Sequence, residues 1–106
     1  MTPAESARTH ELKTWPACWD ATKRGEKPWE VRVNDRFFQS GDIVKLRRSN
    51  PQLRCYETPD GGKSNFVQED GTQEFRIGWI LQGGQFGIEP GYCVFSLSPL
   101  DGGGAG

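Results

Sequence analysis

Gly25 marks the point at which the apolar pattern of this chain changes period. Before it, Trp15, Cys18, Trp19 and Thr22 recur at i, i+3, i+4 and i+7, which places them on one face of a helix. After it, Trp29-Glu30-Val31-Arg32-Val33 alternates apolar and charged residues, the pattern of a strand with two unlike faces. Glu30 and Arg32 share one face; Trp29, Val31 and Val33 share the other. The expectation is that the apolar face builds a core while the charged face presents fixed charges.

Local punctuation sets the remaining elements. Pro16 suits the first turn of a helix, Lys23 and Arg24 suit the last turn, and Gly25 closes it, so a helix is expected over 16–24. His10 to Trp15 alternates and reads as a short strand. Asn34-Asp35 and Gly41-Asp42 are turn signals, the second standing before a strand from Ile43 to Arg48. Ser49 to Gly71 is polar, with Asn50-Pro51 and Pro59-Asp60-Gly61-Gly62, and reads as a long loop or loose hairpin. Phe75, Ile77, Trp79 and Leu81 alternate along a longer strand, Gly83-Gly84 breaks it, and Tyr92 to Leu97 forms the last. One helix among about five short strands predicts an α+β fold on a small, curved sheet or barrel. Barrel closure would remove edges that so short a chain cannot otherwise cover.

The length of 106 residues predicts one domain, taken as 10–98, with a flexible N-terminus over 1–9 and a disordered glycine-rich tail over 99–106. Hydrophobic residues make up only 34%, so the four tryptophans and six phenylalanines must supply much of the core. No apolar run approaches the roughly 20 residues of a membrane span, and Met1 to Thr9 lacks the apolar stretch of a signal peptide. A cytoplasmic location is expected. Cys18, Cys55 and Cys93 match no zinc or redox spacing and read as isolated thiols. Charge is uneven. Lys23 to Arg54 holds nine basic and four acidic residues, against four basic and ten acidic elsewhere. The near-neutral total excludes a general polyanion binder, while the basic segment predicts a local positive surface beside a cleft.

The ordered blocks His10-Glu11-Leu12-Lys13-Thr14-Trp15-Pro16, Gly25-x-Lys27-x-x-Glu30-x-Arg32-x-Asn34-Asp35-Arg36 and Gly41-Asp42 resemble a family of small bacterial and phage proteins. That family is catalogued as a domain of unknown function within the ASCH/PUA-like superfamily. Gly83-Gly84-Gln85-Phe86-Gly87 and Pro90-Gly91-Tyr92 are also similar, so the resemblance spans His10 to Leu97. It implies a PUA-like (ASCH-type) pseudobarrel of five to six strands with one main helix. It also implies a cleft beside the helix and a role in RNA or nucleotide binding. One ASCH relative is an amidohydrolase acting on N(4)-acetylcytidine. Lys27 and Arg32 match its Gly-x-Lys-x-x-x-x-Arg frame, but Glu30 stands where that enzyme has its threonine nucleophile.

Individual residues admit competing readings. Lys27 is a phosphate or base-edge ligand, or a solvated turn lysine. Glu30 accepts hydrogen bonds from a base, as carboxylates do with cytosine, or simply pairs with Lys27 or Arg32. Arg32 binds phosphate or orients Glu30. Trp15 and Trp19 stack on a base or pack in the core, and Trp15, at the strand–helix junction, is the better cleft candidate. Arg36 and Tyr92 reach the ligand or serve a turn and the core. Lys45, Arg47 and Arg48 extend a basic rim or a solvated strand face. His10 has no evident nucleophile or metal-ligand partner, so a hydrolytic triad is unsupported. The leading expectation is a non-catalytic module that binds RNA, a nucleotide or a modified nucleoside, with no metal or organic cofactor. The alternatives are a small nucleoside hydrolase using Lys27 and Glu30 as acid and base, and a protein-interaction module.

Overall fold

A computed structural model describes residues 7–64 and 71–100. It contains strand β1 (Thr9–Thr14), helix α1 (Pro16–Lys23) and strands β2 (Trp29–Val33), β3 (Ile43–Asn50), β4 (Cys55–Tyr56), β5 (Thr72–Gln82) and β6 (Tyr92–Pro99). The fold is α+β: six strands form one mixed sheet in the order β1-β3-β5-β6-β2, with β4 paired to β3. β1 runs parallel to β3, and every other pairing is antiparallel. Thr9 already belongs to β1, and Arg8 donates from its backbone N–H to Asp42, so order starts before the expected boundary. Of the ends expected to be flexible over 1–9 and disordered over 99–106, residues 1–6 and 101–106 lie outside the described residues, and Pro99 closes β6.

Helix α1 forms where its punctuation places it. Pro16 sits in its first turn, Lys23 in its last, and Gly25 follows with a φ of 81°, a left-handed geometry that favours glycine. The helix turns Trp19 and Thr22 inward. Trp19 anchors the core with Leu12, Val44, Leu46, Ile77 and Phe95. Burial of each such side chain contributes about 1.5–3 kcal/mol. The Trp19 indole N–H, buried with its ring, donates to the Leu46 carbonyl at 3.0 Å.

Two strands depart from the expected arrangement. In β5 the register shifts between Ile77 and Ile80. Ile77 and Ile80 both oppose inward-facing β6 residues, Leu97 and Phe95, while Trp79 is thrown outward and is 73% exposed. Gly78 permits the bulge, and the displaced Trp79 N–H is taken up by the Ser96 hydroxyl at 3.0 Å. In β2 the alternation holds, but the faces are reversed. Glu30 and Arg32 oppose Phe95 and Cys93 on the inner face. Trp29, Val31 and Val33 oppose Ser96, Val94 and Tyr92 and stand between 44% and 48% exposed. The charged face is the buried one.

The backbone ladder does not close into a barrel, because β1 and β2 are its two ends. Arginine side chains span the gap instead. Arg32 Nη2 donates to the Lys13 carbonyl at 3.0 Å, and Arg36 Nη1 donates to the Glu11 carbonyl at 3.0 Å. Lys13 and Glu11 are two apart, so their carbonyls share the free edge of β1. Edge acceptors that a neighbouring strand would satisfy are satisfied here by guanidinium groups.

Candidate functional site

The inward face of β2 and the end of β1 enclose a cleft of about 360 Å³ lined by Lys13, Thr14, Trp15, Cys18, Lys27, Glu30, Val31 and Arg32. Glu30 lies at its base with a side chain only 4% exposed. A carboxylate this enclosed is costly unless compensated. Lys27 Nζ donates to Glu30 Oε2 at 2.7 Å, and Arg32 Nε donates to Glu30 Oε1 at 2.9 Å. Lys27 Nζ also donates to the Trp29 carbonyl at 2.7 Å, and Arg32 Nη2 reaches Thr14 Oγ1 at 3.3 Å. The turn after Gly25 brings Lys27 back over the start of β2, and the strand period puts Arg32 beside Glu30. Two cations surround one anion, so the cleft carries a net positive charge. Each carboxylate oxygen holds one protein donor, Lys27 on Oε2 and Arg32 on Oε1.

Trp15 forms the aromatic wall. It is 65% exposed, follows β1 directly and makes no side-chain cap to α1. The expected set is thus partly assembled: Lys27, Glu30, Arg32 and Trp15 meet in one cleft. Three expected members do not. Trp19 is only 2% exposed and belongs to the core, because its helix position faces the sheet. Arg36 braces the edge of β1 from outside the cleft. Tyr92 lines a separate depression with Val31, Gly87, Ile88 and Glu89, on the outer face where the register of β2 and β6 puts it. Lys13, Thr14 and Cys18 are cleft residues that the sequence reading passed over. Their signal was nearness to Trp15: Lys13 and Thr14 precede it, and Cys18 shares its helical face.

A second cleft, also about 360 Å³, adjoins the first and shares Lys13 and Trp15 with it. Its remaining wall comes from the β3–β4 hairpin, including Ser49, Pro51, Arg54, Cys55 and Tyr56. The Arg47 guanidinium lies 3.4 Å from the Tyr56 ring centroid and holds that ring in place. The loose hairpin expected over Ser49 to Gly71 is therefore partly ordered, and the segment 65–70 lies outside the described residues.

The basic segment does not form one positive surface. Arg48 is buried, pairing with Asp20 at 3.0 Å and with Glu57 at 2.5 Å, and so is no rim residue. Arg24 pairs with Glu26, Arg47 with Glu11, and Arg36 serves the β1 edge. Lys27, Arg32 and Arg54 are the members that line the two clefts. The charges scatter because carboxylates and carbonyls from distant parts of the chain claim them one by one.

His10 has a partner the sequence did not reveal. Its Nε2 lies 2.8 Å from Asp42 Oδ2, both groups are buried, and Phe38 packs edge-on against the imidazole. Burial works against ionisation of Asp42, but bonds from His10 and from the Arg8 and Gln39 backbone N–H groups hold its carboxyl below the ordinary range. This pair welds β1 to the turn before β3 and opens on neither cleft. Among the described residues no group of three His, Cys, Asp or Glu side chains is placed to hold a metal, and no helix is long and apolar enough to cross a membrane.

The chain is thus a small α+β protein with a charged cleft over the end of β1. A family model described as a domain of unknown function, DUF3850, matches residues 9–97, and the chain belongs to that family. No curated protein matches it.

Proposed function

We propose that this protein is a PUA-like, ASCH-type module that binds a nucleotide or a nucleic-acid base in the Lys27–Glu30–Arg32 cleft. The observation that carries this reading is a nearly sealed carboxylate fixed between two cations beside an exposed indole. Glu30 supplies fixed acceptors for an exocyclic amine or a ring N–H. Lys27 supplies charge for a phosphate. Trp15 offers a platform for the base, an arrangement worth about 1–3 kcal/mol per stacked base. The net positive charge of the cleft favours an anionic ligand over a neutral one.

The PUA-like assignment is supported by the ordered motif blocks, the six-stranded sheet and the arginine bridges that join its two ends. Carboxylate, lysine and arginine serve recognition here, since Glu30 occupies the position of the related amidohydrolase's nucleophile. A binding screen with nucleotides, modified nucleosides and short RNAs tests the proposal. Saturable binding that Trp15→Ala weakens, with no ligand consumed, is the expected result. Turnover abolished in Glu30→Gln would replace recognition by hydrolysis. Binding by none of these ligands would reject the reading.

A further inference from the structure

We propose that the second cleft is a subsite for the adjoining nucleotide, so that the protein's ligand is a single-stranded oligonucleotide that passes over Trp15. This rests on the nucleotide reading of the first cleft. The two clefts have only Lys13 and Trp15 in common, and these are the two residue types that a continuous strand needs at a junction. Trp15 also borders a third depression with Pro51 and Gln52, so its exposed ring stands proud with recesses on more than one side. A ring in that position separates two consecutive bases and stacks on one or both. Lys13, exposed and without an ion pair among the described residues, lies where the linking phosphate passes. Arg54, likewise exposed and without an ion pair among the described residues, meets the next phosphate. The Tyr56 ring, fixed by Arg47, forms the far wall.

Each cleft is near the lower end of the roughly 300–1,000 Å³ range of small-molecule sites. Each therefore suits one nucleotide and neither suits two. The second cleft contributes no carboxylate of its own, and Glu57, the nearest acid of the hairpin, is already paired with Arg48 and Asn50. It lacks the fixed acceptor that Glu30 supplies in the first cleft. It should accordingly grip backbone and stack bases without strong base choice. Single-stranded RNA and single-stranded DNA share this chemistry.

Two cysteines report on the two clefts separately. Cys18 lines only the first and Cys55 only the second, both partly exposed, whereas Cys93 is buried in the core. The full chain is titrated with a nucleoside monophosphate and with six-nucleotide single strands of RNA and of DNA. Affinity is read directly, and the alkylation rate of each cysteine is read by mass spectrometry. The monophosphate should slow alkylation of Cys18 alone. An oligonucleotide should slow both Cys18 and Cys55 and bind at least tenfold more tightly at equal salt. Arg54→Ala, at an exposed position, should return most of that gain. Equal affinity for RNA and DNA assigns recognition to phosphate and base, and an RNA preference assigns part of it to the 2′-hydroxyl. An oligonucleotide that binds no better than the monophosphate and protects only Cys18 overturns the subsite and leaves the first cleft standing. Protection of neither cysteine by any ligand overturns both readings.

Discussion

Arg32 Nη2 lies 3.0 Å from the carbonyl oxygen of Lys13, across the gap between the two end strands of the sheet. The same guanidinium donates through Nε to the buried carboxylate of Glu30. One side chain thus holds the two sheet ends together and neutralises the anion at the base of the cleft. Lysine carries the same charge but cannot make both bonds in that forked geometry. Arg32→Lys should lower stability by about 1–3 kcal/mol. Arg36→Lys, whose bond to Glu11 is exposed, should cost less than about 1 kcal/mol. Urea unfolding of the two variants gives the comparison, and equal losses would deny Arg32 its double role.

The reversed faces of β2 make an ordering test. Val31→Thr and Val33→Thr alter half-exposed residues and should change stability by no more than about 0.5 kcal/mol. Glu30→Gln leaves two cations facing a neutral amide and should cost about 1–3 kcal/mol. A strand with its valines in the core would give the opposite order, which thermal unfolding would detect at once.

Lys27 has both a binding role and a structural one, and a double-mutant cycle separates them. Lys27→Ala should weaken nucleotide binding by about 1–3 kcal/mol, the scale of a lost charged hydrogen bond. It should also reduce stability, because Glu30 loses one of its two cations. Adding Glu30→Gln to Lys27→Ala should recover part of that stability and none of the affinity. Recovery of affinity in the double variant would assign Lys27 to structure alone.

The His10–Asp42 contact sets a pH dependence of defined sign. Asp42 is held below its ordinary pKa, so its stabilising contribution is complete above the unfolded-state value of about 3.9 and is lost as pH falls through the folded-state value. Asp42→Asn should therefore be less stable than the parent near neutral pH, and the gap should close in acid. Unfolding curves collected from pH 7 downward test this. A gap that persists at the lowest pH would mean that the carboxylate charge is irrelevant to the contact.

The sequence by itself determined most of the elements, though β4 lay inside the stretch read as a loop or loose hairpin. Pro16 and Gly25 delimit α1 because missing donors and left-handed geometry act over a single turn. Gly41-Asp42 precedes β3 for a similarly local reason. Alternation in β2 determined that Glu30 and Arg32 share a face, and the spacing to Lys27 brought the third charge within reach. The tertiary structure decided which face points inward. A period of two fixes who sits beside whom, but burial depends on which partner strand is met and in what register, and that register set Glu30 against Phe95. The same limit explains Trp19 and Trp79. One tryptophan was drawn into the core by the helix face opposite β3, and the other was expelled by a bulge at Gly78. The partners of Arg48 and of His10 lie nine to thirty-two residues away along the chain. Pairings at that separation leave no periodic trace in the sequence, because they are chosen only when the chain has folded and each buried charge must find the nearest group able to compensate it.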